Sequence, residues 1–436
     1  MPLDRALHSR IEAAGQEWIE EHLDSLAPAR RQELLQQLAH IDFELVARIR
    51  AGKGIAGTPD TSIEPVDYVA IADRHDGTAA AERGREALAS GRVGFVILAG
   101  GQASRLRYDG PKGEYPIGPR SDRSLFRVLV EQIRRAALDT GTQPPLAITT
   151  SATTDAAIRA FFELHGCFGY PRADLHFAQQ RQLPALDDDG RLMLATPSRI
   201  FTNPDGHGGA LQALETEGIL ASWQDDGIEW VATCQVDNPI LRVVDADFIG
   251  SIIGRPEPIA TKIVLKTEPG EKVGVVAKLG GRPALVEYSD LTPEDQARRD
   301  PDGQLTYRLG SIAAHVFGLQ FLREELPSSL PLHTARKDIP IVDAAGKAGH
   351  HPGTKYERFL FDLFPRADDV VVCEVLREHE FAPLKNAEGA DSPAEVQGAL
   401  DAQYRRWHAE AGVEPPAENP LEYSPLDVDG PEDLHS

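Results

Sequence analysis

Between residues 93 and 236, short apolar runs alternate with amphipathic segments, and this alternation restricts the possible folds more than any other feature of the chain. The runs VGFVIL, LAITTS and WVATCQV (93–98, 146–151 and 230–236) have the length and composition of buried strands. Helical patterns cover 125–137 and the segment AAIRAFFELHG. The alternation predicts an α/β fold with a doubly wound, mixed but mostly parallel sheet, which binds ligands at the carboxyl ends of its strands.

Different patterns flank this region. Residues 3–50 show two apolar stripes at helical spacing, which predict two amphipathic packing helices. The stripes are Leu7, Ile11, Ala14 and Trp18, then Leu34, Leu38, Ile41, Leu45 and Ile49. Over 262–288 the pattern is that of hairpins, with a turn at Gly280-Gly281. We therefore expect a helical lobe with its linker (1–90), a central domain (91–330) and a smaller carboxyl-terminal lobe (331–436).

Charge and composition exclude several classes of partner. The 436 residues carry a formal net charge of −23, which would repel nucleic acids and anionic membranes. The amino end lacks an apolar signal core, no apolar run has the length of a membrane span, and the three cysteines form no CxxC pair. We expect a cytoplasmic protein. A phosphorylated substrate would need positive charge concentrated locally, and lysines are scarce, at ten of 45 basic residues.

The first strand of the alternating region runs into the segment LAGGQASRLRYDGPKG (98–113). Its adjacent glycines let backbone N–H groups approach a ligand, and Arg105 and Lys112 add positive charge for a bound anion. The segment matches neither GxxxxGK[ST] nor the dinucleotide fingerprint GxGxxG, which argues against a nicotinamide-dependent oxidoreductase. A plain glycine turn beside two surface cations would explain the same residues, so the segment alone decides nothing.

The segment resembles the signature loop of the UDP-sugar pyrophosphorylases, in which Leu-Ala-Gly-Gly-x-x-Ser/Thr-Arg-Leu precedes Pro-Lys-Gly. Six further blocks follow in the order of that family, and the pattern is nearest to the UDP-N-acetylhexosamine pyrophosphorylase branch. They are FAQQRQLPAL (177–186), NPDGHGGALQAL (203–214), CQVDNPILRVVDADFIG (234–250), VVAKLGGRPALVEYSD (275–290), PGTKYERFLFDLF (352–364) and EFAPLKNAEGADSP (380–393).

The resemblance implies a Rossmann-like, GT-A-like nucleotidyltransferase fold and a monomeric enzyme. Its reaction would be Mg²⁺-dependent transfer of uridylyl from UTP to N-acetylglucosamine 1-phosphate, with release of pyrophosphate. A UDP-glucose or broad-specificity UDP-sugar pyrophosphorylase is the main alternative. A non-catalytic nucleotide-binding protein is disfavoured, because the phosphate-binding cations and the metal-binding carboxylate of the family are all present.

The resemblance also implies a role for each matching residue. The cations of catalysis would be Arg105, Lys112, Lys355 and Lys385. UTP would be bound by Leu98, Ala99, Gly100, Gly101, Lys112, Gln180, Gly206 and Asp237, with Asp237 as the Mg²⁺ ligand. The sugar phosphate would be bound by His207, Asn238, Glu287, Tyr288 and Lys385.

Simple chemistry is compatible with these roles without requiring them. A glutamine amide can donate to and accept from the imide edge of uracil, and a carboxylate at a strand tip can hold Mg²⁺. Taken singly, Gln180 could be a solvated loop residue and Asp237 a turn or helix cap. One departure matters, because His207 stands where the family has an asparagine that belongs to sugar recognition. The identity of the sugar therefore stays open.

Overall fold

The structure is a computed structural model, and it describes residues 4–57, 62–74, 77–343 and 347–435. The chain forms two compact units, each assembled from three separate stretches. The first unit comprises Met1–Thr58, Gln180–Gly209 and Ser329–Leu360, and the second comprises Pro59–Gln179, Ala210–Ser328 and Phe361–Ser436. The sequence predicted three consecutive lobes instead. Periodicity along the chain does not encode which distant stretches pack together, so it could not predict this division.

Helices occur in both units. They are α1 Arg5–Ala13, α2 Trp18–Ser25, α3 Pro28–His40, α4 Phe43–Arg50, α5 Ala79–Ala89, α6 Leu125–Thr140, α7 Asp155–Leu164, α8 Gly206–Thr216, α9 Ile219–Asp225, α10 Ala246–Ile252, α11 Pro293–Ala297, α12 Leu319–Glu325, α13 Arg377–Glu380 and α14 Pro393–Ala411. Within the described residues, no helix combines the length and apolar character needed to cross a lipid bilayer.

In the part of the chain that the structure describes, the strands belong to one large sheet and three small ones. They are β1 Ile63–Glu64, β2 Val93–Leu98, β3 Leu146–Ser151, β4 Leu175–Gln180, β5 Gln182–Pro184, β6 Leu194–Thr196, β7 Arg199–Ile200, β8 Thr202–Pro204, β9 Trp230–Gln235, β10 Ile259–Leu265, β11 Val275–Leu279, β12 Arg282–Val286, β13 Leu309–Gly318, β14 His333–Val342, β15 Ala348–Glu357 and β16 Val371–Glu374.

The amino-terminal segment forms four helices, so the prediction of two was wrong. Gly15 adopts a left-handed backbone (φ +63°) in the turn that separates α1 from α2, so the first stripe is divided between two helices. The Asp42 carboxylate caps α4 by accepting a hydrogen bond from the Leu45 N–H, which starts a new helix inside the second stripe. The packing role of both stripes is confirmed, because all their members except the half-buried Trp18 are buried.

The large sheet of the second unit confirms the predicted mixed α/β fold. Parallel pairing joins β2 to both β3 and β9, and β10 to β16. Antiparallel pairing joins β13 to β9, β10 and β11, and joins β11 to β1 and β12. In register, Leu98 at the end of β2 faces Thr149 of β3 and Gln235 of β9. The segments that follow β2 and β9 therefore leave the sheet side by side.

Of the hairpins predicted over 262–288, the one around Gly280-Gly281 is confirmed, whereas the KIVLK strand β10 pairs with β13 and β16 instead. Strands β11 and β12 pair antiparallel, with Leu279 opposite Arg282. The two residues between them, Gly280 and Gly281, have φ values of +57° and +80°. A two-residue hairpin loop with both central φ values positive follows the twist of its strands, and glycine adopts that backbone at the lowest cost.

Candidate active site

The loop after β2 is held in place by the neighbouring strand β3. Thr149 Oγ1 accepts a 3.2 Å hydrogen bond from the Ala99 N–H, and Ser151 Oγ donates a 2.9 Å hydrogen bond to the Gly100 carbonyl. The Ala99 N–H therefore supports the loop, and the role of Ala99 toward UTP stays a prediction. A Cβ added at the exposed Gly101 would have no atom within 4 Å, so the backbone there is open on the side where a side chain would project.

The same loop folds back on itself and brings Lys112 beside its own beginning. The Lys112 N–H donates to the Gly101 carbonyl at 3.1 Å. The next residue, Gly113, lies so close to Phe126 of α6 that an added Cβ would be 2.3 Å from the ring. This close approach requires glycine, and it fixes the position from which the Lys112 side chain leaves the backbone.

Lys112 pairs with Asp237, the predicted metal ligand. Asp237 follows β9 by two residues, and its Oδ2 lies 2.9 Å from Lys112 Nζ. The two side chains are only 15% and 18% exposed, so this ion pair is screened less than one on the open surface. The register of β2 and β9 explains how two residues 125 positions apart meet.

A cavity of about 180 Å³ opens at this pair, and all the residues that line it belong to the second unit. The charged residues that line it are Arg105, Lys112, Lys385 and Asp237. Three cations thus converge on a single carboxylate at the carboxyl ends of β2 and β9. Because the backbone of Gly101 is open here, the arrangement suits a ligand with several negative charges.

Asn238 has a supporting position. It is 2% exposed; its amide nitrogen donates to the Glu380 carbonyl at 2.7 Å, and its oxygen accepts from the Ala382 N–H at 3.1 Å. The Leu384 N–H donates to the Asp237 carbonyl at 2.7 Å. Asn238 therefore holds the segment that carries Lys385, and the structure does not present its side chain to a sugar.

The other predicted sugar contacts of the second unit lie after β12. Tyr288 is 36% exposed, and Glu287 precedes it. The Asp290 N–H donates to the Glu287 carbonyl, and Gln296 Nε2 donates to the Tyr288 carbonyl, both at 2.9 Å. Within the described residues, neither side chain lines the cavity around Lys112 and Asp237. Their roles toward a sugar stay predictions.

Gln180, Gly206, His207 and Lys355 belong to the first unit. Gly206 has φ +80°, and an added Cβ would be 2.4 Å from the Arg358 carbonyl, so both backbone and space require glycine. The Gly208 N–H donates to that carbonyl at 2.9 Å. The Lys355 ammonium lies 4.9 Å from the centre of the Phe201 ring. The contacts with Arg358 therefore fix the start of α8 against the end of β15.

Gln180 ends β4 with a buried side chain, 6% exposed. Its Oε1 is buried and accepts no hydrogen bond from the residues that the structure describes. Such an acceptor costs free energy unless a donor reaches it, so a ligand N–H directed at Oε1 would be favourable.

His207 is neutral in this structure. Burial, with the nearby His333, lowers the pKa of His207 to about 4. Its Nδ1 accepts a 2.8 Å hydrogen bond from the Leu360 N–H, and its ring stacks on Phe359 with 5.1 Å between ring centres. The acceptor of the ring is therefore committed to the backbone.

A family model described as UTP–glucose-1-phosphate uridylyltransferase matches residues 49–390. The chain belongs to this family. The predicted resemblance is confirmed, and so is the prediction of a nucleotidyltransferase enzyme.

Individual members of the uridylyltransferase family narrow the comparison. The UDP-N-acetylhexosamine pyrophosphorylase-like protein 1 of Xenopus tropicalis is 36% identical in an alignment of 433 positions that covers 93% of this chain and 84% of that protein. The UDP-N-acetylglucosamine diphosphorylase 2 of Arabidopsis thaliana is 34% identical, over 94% and 85% of the two chains. The uridine diphosphate N-acetylglucosamine pyrophosphorylase of Trypanosoma brucei superposes with a TM-score of 0.83 at 29% identity, over 100% of this chain and 94% of that one.

Two charged clusters of this uridylyltransferase-family chain were missed from sequence. In the first unit, the buried Arg358 guanidinium pairs with Asp205 at 2.5 Å. In the second unit, Lys262 is 1% exposed and pairs with Asp245 at 2.8 Å and with Glu380 at 2.5 Å. The available signal was a lysine inside the strand pattern KIVLK, since a charge in a buried strand needs a partner.

The Lys262 cluster includes Glu380, the first residue of the segment that carries Lys385. Burial alone would raise the pKa of Asp245, but the charges of Lys262 and Arg74 hold that pKa well below its usual range. Glu380 accepts from Lys262 through its carboxylate and from Asn238 through its backbone carbonyl. The cluster therefore fixes the start of the 380–385 segment from the core side.

Proposed function

We propose that this enzyme transfers the uridylyl group of UTP to N-acetylglucosamine 1-phosphate, giving UDP-N-acetylglucosamine and pyrophosphate. The observation that carries the proposal is the cavity where Arg105, Lys112 and Lys385 converge on Asp237. Polyanionic substrates repel one another, and this cavity concentrates positive charge on an otherwise acidic chain. The choice of sugar follows the relatives of Arabidopsis thaliana and Trypanosoma brucei, whose names specify UDP-N-acetylglucosamine.

In the proposed reaction, a phosphate oxygen of the sugar 1-phosphate attacks the α-phosphorus of UTP. A new P–O bond forms, the bond from the α-phosphorus to the oxygen that bridges to the β-phosphate breaks, and pyrophosphate leaves with that oxygen. The attacking monoester is largely dianionic at neutral pH because its second pKa is about 6, so no general base is needed. Arg105, Lys112 and Lys385 position the phosphates and balance their charge, and the role of Lys355 toward a phosphate rests on the family resemblance alone.

The residues of the cavity fit a Mg²⁺ ion that is shared with the nucleotide. Asp237 supplies one carboxylate, and within the described residues no three His, Cys, Asp or Glu side chains form a group able to hold a metal. Mg²⁺ commonly takes one or two carboxylates and completes its shell with substrate phosphates and water. When bound, Mg²⁺ would neutralise phosphate charge, and Asp237 is the residue that would hold it.

Recognition of the base is assigned to the first unit. Gln180 Oε1 is a buried acceptor with no donor among the described residues, which suits the imide N–H of uracil. The Gly206 backbone is the second predicted contact, and its tight packing leaves no room for a side chain. We propose that these two residues select uridine over a purine base.

His207 supports a second candidate, a UDP-sugar pyrophosphorylase of relaxed specificity. The imidazole replaces an asparagine at the predicted sugar position, and its Nδ1 is already bonded to the backbone. A bulkier ring with less hydrogen-bonding capacity would favour a 2-hydroxyl over a 2-N-acetyl group.

We propose a monomer acting in the cytoplasm, where the buried, unpaired Cys167, Cys234 and Cys373 would stay reduced.

A pyrophosphate-release assay tests the proposal. UTP or ATP is offered with N-acetylglucosamine, glucose or galactose 1-phosphate, with excess Mg²⁺. We expect turnover with UTP and N-acetylglucosamine 1-phosphate and little turnover with ATP. Equal use of UTP and ATP would contradict the assignment of Gln180 and Gly206. Faster turnover of the unmodified sugars would support the second candidate, and no turnover of any pair would refute both.

A further inference from the structure

Lys112 and Asp237 form an ion pair with each other, although in the proposed reaction Lys112 binds a phosphate and Asp237 holds Mg²⁺. Both are fixed by their backbones, Lys112 through the Gly101 carbonyl and Asp237 through the Leu384 N–H. Their side chains meet at 2.9 Å and are mostly shielded from solvent. The carboxylate that would hold a metal is therefore engaged by the lysine that would hold a phosphate.

The charge around the pair is unfavourable for a cation that enters alone. The described lining of the cavity has three cations and one carboxylate, and so a formal charge of +2. Lys385 Nζ lies 4.0 Å from Asp391 Oδ2, and the Arg105 side chain is exposed. A divalent cation would have to displace Lys112 from Asp237 and would still meet the two other positive side chains.

A nucleoside triphosphate reverses this balance, because its phosphates bring several negative charges and strong acceptor oxygens. The lysine stem is flexible, so its ammonium can turn from a carboxylate to a phosphate while the backbone stays in place. Asp237 would then be released beside the same phosphates.

We propose that Lys112 keeps Asp237 in an ion pair until nucleotide phosphate takes the lysine, so that the divalent-cation site is created by nucleotide binding. This inference rests on the proposed function and concerns the order in which its parts assemble. By linkage, a divalent cation must raise the affinity for UTP by the same factor by which UTP raises the affinity for the cation.

Binding of Mn²⁺ to the nucleotide-free enzyme tests the inference by loss of the free-ion electron paramagnetic resonance signal. We expect wild type to bind Mn²⁺ only in the millimolar range or more weakly. Lys112→Met should bind it at least about tenfold more tightly, a factor within the usual range of coupling between sites. In Lys112→Met/Asp237→Asn the gain should disappear.

Lys385→Met is the matched control, because it removes the same charge from the same cavity but leaves the 2.9 Å pair intact. Its gain in Mn²⁺ affinity should be well below that of Lys112→Met. Equal gains would overturn the inference, because they would reflect only the total charge of the cavity. Tight Mn²⁺ binding by nucleotide-free wild type would also overturn it, and this arm needs no variant that could misfold.

Calorimetry of UTP binding without metal gives a second measurement. Asp237→Asn should bind metal-free UTP several-fold more tightly than wild type, because Lys112 no longer has to leave a carboxylate. In the Lys112→Met background the same Asp237→Asn change should have a much smaller effect, as a double-mutant cycle would show. An equal effect in both backgrounds would refute the coupling. Since these experiments measure binding, an enzyme that passes the pyrophosphate assay but fails here refutes only the inference.

Discussion

The Nδ1 atom of His207 accepts a hydrogen bond from the backbone N–H of Leu360 at 2.8 Å. This contact places the proton of the neutral ring on Nε2, because a nitrogen that accepts carries no proton. An asparagine at this position could offer both a donor and an acceptor to a sugar substituent. The histidine has already used its acceptor within the protein.

His207→Asn is therefore expected to shift sugar preference toward N-acetylated substrates. A hydrogen bond and some added volume are worth roughly 1–3 kcal/mol, which corresponds to about 5- to 150-fold in relative kcat/KM. The measurement is kcat/KM for N-acetylglucosamine and glucose 1-phosphates in wild type and variant. His333→Asn, which alters the other ring stacked on Phe359, is the control and should leave the ratio unchanged. An unaltered ratio in His207→Asn would show that this residue does not read the sugar.

The low pKa of His207 predicts a pH-dependent contribution to stability. The folded-state pKa of about 4 lies below the unfolded value of about 6.5, so between these values the unfolded chain binds a proton that the folded chain does not. The contribution is complete above about pH 6.5 and is lost as the pH falls toward 4. Lowering the pH from about 7 to about 5 should therefore reduce the Tm of wild type more than that of His207→Asn. Parallel losses would show that His207 titrates normally.

Removal of the Arg105 side chain should weaken catalysis without unfolding the protein. Loss of a charge contact to the transition state typically costs about 10²-fold, and we expect that loss in kcat/KM for Arg105→Ala. Arg107→Ala is the matched control, because Arg107 lies in the same loop but pairs with Glu388 at 3.2 Å on the surface. Circular dichroism should show intact folding for both. Near-normal turnover by Arg105→Ala would remove this side chain from the site.

Activity should depend on Mg²⁺, and the Asp237 carboxylate should set the Mg²⁺ concentration that the enzyme needs. EDTA is expected to abolish activity and Mg²⁺ to restore it, and Asp237→Asn should raise the Mg²⁺ concentration needed for half-maximal rate. Asp109→Asn is the control, since Asp109 is an exposed acid of the same loop. Wild-type Mg²⁺ dependence in Asp237→Asn would mean that the nucleotide alone holds the metal.

The buried Asp205–Arg358 pair should be necessary for stability of the first unit. Arg358→Met leaves Asp205, which is 1% exposed, without its opposite charge, and breaking a buried pair on one side typically costs about 3–5 kcal/mol. Asp205→Asn/Arg358→Met should recover much of the loss, because no unpaired charge remains. Arg336→Met, at a solvent-exposed pair with Asp188, should leave the denaturant midpoint unchanged. Equal midpoints for the Arg358 and Arg336 variants would contradict this account.

The predictions that the structure confirms most directly are those that depend on local sequence patterns. The runs that begin at Val93, Leu146 and Trp230 are strands because each is apolar over the length of a buried strand. The Gly280-Gly281 turn is a hairpin because two successive positive φ values favour glycine. The boundary between α3 and α4 was missed, because the apolar stripe continues past Asp42 although its carboxylate starts a new helix.

The sequence by itself determined the three buried strands that begin at Val93, Leu146 and Trp230, the family and the candidate cations, because these depend on residue type and order. Tertiary structure alone decided which of those residues meet. Lys112 reaches Asp237 because β2 and β9 are parallel neighbours, although paired residues such as Gly94 and Val231 are 137 positions apart in the sequence. Asn238 faces the 380–382 backbone, and Lys262 is buried among acids, because polar and charged groups removed from water need partners, which the fold supplies here from distant parts of the sequence.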